Sequence, residues 1–182
     1  MRKLIVLVLF AGCTRPSPPP IHFYREEVAL DVRPGMLRVQ ANYHFRSSAA
    51  QPVTAMILYP FPLDSNHAWP DSIVIPGYGF RLADSGVTFV MKFSPGSEDS
   101  FQACYRQPLR GNSCRYIVTS TRKWKRPIDL ARFRVDVPAD LPGVRLNYRP
   151  DSITRTGSTV TYWFARRRFY PDRDVVVNWS DR

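Results

Sequence analysis

Strict alternation of apolar and polar residues limits most strongly what this chain can become. Over residues 36–46, Leu37, Val39, Ala41, Tyr43 and Phe45 take every second place, with Met36, Arg38, Gln40, Asn42, His44 and Arg46 between them. A period of two sends successive side chains to opposite faces of a strand, so one face is buried and the other wet. The same spacing recurs in Ala131, Phe133, Val135 and Val137, in Val160, Tyr162 and Phe164, and in Val175, Val177 and Trp179. Seventeen prolines spread along 182 residues oppose long helices, since each removes a donor and clashes with the preceding turn. Further strands are expected at 53–59, 72–75, 86–93, 101–107 and 113–119, with one helical turn near Pro127-Ile128-Asp129-Leu130. The expectation is an all-β fold, an antiparallel β-sandwich of about ten short strands, immunoglobulin-like in general architecture.

Register can be read as well. A hairpin folded at Pro34-Gly35 pairs Val32 with Leu37, Leu30 with Val39 and Val28 with Ala41, and places Asp31 opposite Arg38 on the other face. A slip of one residue loses every match. Pro-Gly favours a type II turn, whose twist suits a two-residue hairpin poorly, so a looser arch is the alternative. Thr156-Gly157 offers a second hairpin, from 151–155 to 158–165.

The first thirteen residues read as an export signal. Arg2 and Lys3 form a basic start, residues 4–10 an apolar run too short to span a bilayer, and Ala11-Gly12 small residues before Cys13. Leu9-Phe10-Ala11-Gly12-Cys13 resembles the lipobox of bacterial lipoproteins, with Phe10 where that family usually has Leu. The resemblance implies cleavage before Cys13 and a diacylglyceryl thioether on its sulfur, a membrane anchor through lipid. Thr14 in place of Asp after the cysteine points to the outer membrane. Pro16, Pro18, Pro19 and Pro20 then favour polyproline II over residues 14–20, a semi-rigid spacer of roughly 22 Å. The expected organisation is a signal peptide over 1–12, a lipidated Cys13 and tether over 13–20, and one sandwich domain over 21–182.

With Cys13 assigned to lipid, Cys104 and Cys114 remain as an even pair, with turn-forming residues between them. A hairpin centred on Leu109 would set the two opposite each other, within disulfide range. A disulfide fits an oxidising compartment; two reduced thiols, or half of a zinc site, are the alternatives.

The chain carries no strong catalytic or cofactor motif. His22, His44 and His67 fall on different expected elements and read as surface residues; metal and cofactor are both expected to be absent. Asp64, Asn66 and Asp71 in the 60–72 loop offer oxygens to calcium, but without EF-hand spacing, and such residues are common turn formers. Carboxylate pairs for glycoside hydrolysis could be drawn from Asp64, Asp71, Glu98 and Asp99. Gly77-Tyr78-Gly79 lacks a following helix and is a weak phosphate cradle.

The formal charge is +11, and loss of Arg2 and Lys3 with a leader leaves +9. Such a balance favours anionic partners. Arg122, Lys123, Trp124, Lys125 and Arg126, together with Arg166, Arg167 and Arg168, form a candidate patch for anionic envelope polymers rather than nucleic acid. Tyr43-x-Phe45, Tyr59-Pro60-Phe61-Pro62 and the stretch from Tyr116 to Ile128 are similar to uncharacterised exported β-sandwich proteins of bacteria, a resemblance that brings no functional residue with it. The expected function is a non-enzymatic, membrane-tethered interaction or structural module of the cell envelope, with an envelope protein or polymer as partner. An envelope hydrolase acting on glycan or peptide is the alternative. A ligand held between the sheets is a third, which an apolar cavity would favour.

Overall fold

The structure, a computed structural model, describes residues 19–181. The signal peptide, Cys13 and the tether as far as Pro18 lie outside them. Thirteen strands are present among the described residues. They are β1 (Ile21–Arg33), β2 (Met36–Ser47), β3 (Val53–Pro60), β4 (Ser72–Val74), β5 (Arg81–Ala83), β6 (Gly86–Phe93) and β7 (Glu98–Pro108). After them come β8 (Ser113–Tyr116), β9 (Ile128–Pro138), β10 (Arg145–Leu146), β11 (Ser152–Thr156), β12 (Thr159–Phe169) and β13 (Val175–Asn178). Seven form a large sheet in the order β11-β12-β9-β1-β2-β7-β4, and two three-stranded sheets run β3-β6-β5 and β10-β13-β8. The fold is all-β, as expected. Paired strands are antiparallel except β1 and β9, which run parallel from Arg25 opposite Leu130 to Asp31 opposite Asp136.

Both small sheets cover one face of the large one. Tyr59 of β3 meets Tyr43 of β2 edge-on at 5.7 Å, and Phe89 of β6 meets Phe101 of β7 at 4.9 Å. On the other side, Tyr116 of β8 is hydrogen bonded to Tyr43. The residues that drive this packing are those of the alternating pattern: Leu37, Val39, Ala41, Tyr43 and Phe45 are all buried, as are Ala131, Phe133, Val135 and Val137. Edge-to-face and stacked ring pairs of this kind add about 0.5–1.5 kcal/mol each beyond the area they bury.

The first hairpin has the expected register. Val32 faces Leu37, Leu30 faces Val39, Val28 faces Ala41 and Asp31 faces Arg38. The turn is tight rather than an arch: Arg33 and Met36 close it, with Gly35 at φ +79°, a conformation glycine adopts without steric cost. The second hairpin turns one residue later than expected, over Gly157-Ser158, with Thr156 opposite Thr159.

Three expectations are corrected. Cys104 and Cys114 do not form a hairpin pair; both are free thiols. After β7 the chain crosses between layers, so β8 pairs with β13, Cys114 opposite Val177, while Cys104 stays in the large sheet between Gln40 and Val74. Parity explains the rest: Ala103 and Tyr105 point into the core, so Cys104 points to the outer face, whereas Cys114 is buried. The helical turn lies at Thr119–Trp124, as a 3-10 helix, and Ile128 opens β9 instead. Finally, His67 is buried, not on the surface.

Candidate functional site

The split second layer leaves a cleft between its two sheets. β3 pairs only with β6 and β8 only with β13, so each presents a free edge to the other across a seam. Beneath that seam lies a cleft of about 680 Å3. One wall is β3 from Ala55 to Pro60; the other is Tyr116, Ile117 and the 3-10 helix with Lys123 and Trp124. The floor is the large sheet, through Phe23, Glu26, Tyr43, Phe45 and Phe101.

A backbone irregularity shapes that floor. Val28, Leu30 and Val32 point inward, and counting back by two brings Glu26 to the same face. Between Phe23 and Arg25 the register of β1 shifts by a bulge, which restores Phe23 and Ile21 to the interior. A carboxyl group therefore sits at a core position, 1% exposed, among aromatic rings. Its Oε1 has no hydrogen-bond donor among the described residues. Burial, with nothing cationic set against it among the described residues, pushes the Glu26 carboxyl up to about 8, so it is mostly protonated at neutral pH.

Three hydroxyls converge across the seam nearby. Tyr43 donates to Tyr59 at 3.1 Å and is also bonded to Tyr116, joining β2, β3 and β8. Burial raises all three phenols, Tyr59 to about 12, so they are uncharged donors and acceptors at neutral pH. Trp124 forms part of the wall and packs on Phe23 and Phe45, with ring centroids 6.4 and 5.4 Å away. Lys123 is exposed and lines the same cleft. Sequence reasoning missed Glu26, although its phase with Val28, Leu30 and Val32 was a usable signal; the meeting of the three tyrosines, 16 and 73 residues apart along the chain, left no such signal.

The other candidate residues are placed as follows. Arg122 stacks on Tyr170 at 5.0 Å and so links the two basic stretches. Lys125 ends the 3-10 helix in a left-handed conformation. Arg167 lies opposite Leu130, and Arg168 takes φ +49° in β12. Arg166 is held by Asp151 at 3.0 Å and by the Arg149 carbonyl, so its charge is engaged within its own sheet region.

The 60–72 loop is an organised polar knot. His67 Nδ1 lies 2.7 Å from Asp64 Oδ1, and its Nε2 accepts the Arg115 backbone N–H at 2.8 Å. That acceptor role at Nε2 places the ring proton on Nδ1, where it donates to Asp64. Arg115 also bonds Asp64 Oδ2 at 2.7 Å. Burial alone would raise the Asp64 carboxyl; hydrogen bonds from His67 and the Asn66 backbone, with the charge of Arg115, outweigh it and leave the group below its ordinary value. Asp71 instead accepts from Arg106 at 2.7 Å, so the loop carboxylates do not converge. Glu98 accepts from Arg46 and Tyr24, and Asp99 from Ser97. Among the described residues no group of three His, Cys, Asp or Glu side chains is placed to hold a metal ion.

A shallower depression of about 340 Å3 lies on the outer face of the large sheet and includes Cys104, Arg38, Asp31 and Asp136. The two aspartates are direct neighbours across the parallel pair β1 and β9. Each already has a guanidinium partner, Arg33 at 3.0 Å and Arg134 at 2.5 Å.

No protein-family model matches the sequence, and no curated protein matches it. Solved structures do resemble the fold. A Legionella pneumophila protein, named as a proposed nutrient binding protein, superposes with a TM-score of 0.61 at 16% identity, over 88% of this chain and 67% of its own. An M1 zinc metallopeptidase from Deinococcus radiodurans superposes with a TM-score of 0.54 at 14% identity, over 87% of this chain and 42% of its own. The chain thus spans well under half of that peptidase. At these identities the likeness is one of fold.

Proposed function

We propose that this protein is a non-enzymatic, lipid-anchored module of the bacterial cell envelope, tethered through Cys13 at the outer membrane, that binds a small ligand in the cleft between its two small sheets. One observation carries the reading: a single buried carboxyl, Glu26, has at Oε1 no hydrogen-bond partner among the described residues and lines an aromatic cleft of ligand size. Most glycosidases use two carboxyl groups with separated roles, and the described lining of this cleft holds one. The exposed cations of the 3-10 helix and of the end of β12 are proposed to contact an anionic envelope polymer beside the mouth.

The alternative of an envelope hydrolase is favoured by the adjacent Asp31 and Asp136 on the outer face. Each already sits in an ion pair, Asp31 with Arg33 and Asp136 with Arg134, which suits a structural charge array better than an acid and base pair.

The test is to purify the full chain from the envelope and analyse its organic extract by mass spectrometry beside an Ala55→Trp variant, in which an indole fills the cleft. A small molecule present with the native chain and missing from the variant is expected. Equal recovery from both contradicts the cleft reading, and a chain with an unmodified Cys13 in the soluble fraction contradicts the anchor.

A further inference from the structure

Seven aromatic side chains line the cleft: Phe23, Tyr43, Phe45, Tyr59, Phe101, Tyr116 and Trp124. Rings of this kind attract cations through the negative potential of their faces, most strongly where water is excluded. At the floor stands the one carboxyl of the lining, with a free acceptor at Oε1. Among the described residues nothing basic meets it. The groups that face it from the elements packed on β1 are the hydroxyls of Tyr43 (β2), Tyr59 (β3) and Tyr116 (β8), all neutral; Lys123 is the basic residue of the lining. Lys123 is exposed, where water and salt screen it, whereas Glu26 is buried, where charge interactions are strongest.

Building on the cleft reading, we infer that the ligand is an organic ammonium: a cationic amine on an apolar body, whose N–H groups donate to Glu26 and to the tyrosine oxygens while the body lies among the rings. A neutral hydroxyl would gain one hydrogen bond there, and a carboxylate would meet a second acid. An ammonium supplies the counter-charge that lets this buried carboxyl ionise.

Proton balance follows. The Glu26 carboxyl, raised to about 8, is protonated in the empty cleft below that pH. Binding of an ammonium ionises it, so one proton leaves to solvent for each ligand bound. Affinity then rises about tenfold per pH unit between roughly pH 6 and 8 and levels off above that. The tyrosines stay protonated over this window, since burial has raised them all.

The experiment is calorimetric titration of the full chain with three probes of one shape: 2-phenylethylamine, 2-phenylethanol and phenylacetate. The amine should bind at least tenfold more tightly than the alcohol at pH 7, release one proton as read from buffers of different ionisation enthalpy, and tighten from pH 6 to 7. Glu26→Gln should erase the amine preference and the pH slope while alcohol binding persists. The pH slope of the native chain gives the same answer should that variant fail to fold. Alcohol binding as tightly as amine, or phenylacetate binding best, overturns the ammonium inference and leaves the cleft reading standing. No heat from any probe defeats the cleft reading itself.

Discussion

Two buried ionisable groups in this molecule have opposite surroundings. His67 is enclosed with a partner on each ring nitrogen, Asp64 on one side and the Arg115 backbone on the other. Glu26 is enclosed with Oε1 unpartnered, in a cleft rather than a packed knot. A satisfied polar group fixes a loop against a strand; an unsatisfied one lowers stability unless something else meets it. Arg25 Nε, His44 Nε2, Tyr105 Oη and Gln107 Oε1 also lack partners, but none of these residues lines this cleft, so the contrast rests on burial, missing donor and place in the cleft lining together. The difference separates polarity used for building from polarity held available.

The sharpest test of that contrast is the dependence of stability on pH. Glu26 binds its proton with a folded value of about 8 against 4.5 when unfolded. Between those values the folded state holds more protons, so its stability is full below the lower one and falls as pH rises towards the upper. The 3.5 units separating the two set an upper bound of about 5 kcal/mol on that loss. Urea denaturation at pH 5 and 8 should show a drop of several kcal/mol in the native chain and little in Glu26→Gln, which should be the more stable of the two at pH 8.

His67→Ala should act in the opposite sense. It strands the Arg115 N–H and removes a donor from Asp64, for a loss of about 2–3 kcal/mol in the same denaturation assay at neutral pH. An equal loss in both variants would erase the distinction between the two regions. Tyr116→Phe removes one hydroxyl from the seam and should lower stability by about 1 kcal/mol, with a larger relative effect on amine binding than on folding. Smallest of all, Arg106→Ala breaks an exposed pair with Asp71 and should leave the urea midpoint unchanged within experimental error.

Where local pattern alone decides geometry, the sequence was readable. The register of the first hairpin follows from the phase of Val28, Leu30 and Val32 against Leu37, Val39 and Ala41, and the buried faces of β2 and β9 follow from the same alternation. The cysteines show where that logic stops. Nine residues rich in turn formers suggested a hairpin, but Leu109 and Arg110 hydrogen bond instead to Gly35 and Asn66, and the chain changes sheets. Choice of partner strand is a long-range property, and so is the burial of His67, which depends on β8 lying against the loop. Glu26 stands between these cases. Its phase marked it as inward, and its charge argued against a place in the core; a carboxyl at an interior position is where local preference and fold disagree, which is common at binding sites.

The account stands or falls on the state of the Glu26 carboxyl, which carbon NMR of glutamate side chains reports directly across a pH series. A midpoint near 8 in the free protein, moving to lower pH when 2-phenylethylamine is added, is the expected result. A midpoint in the ordinary carboxylate range, unmoved by the amine, would contradict it.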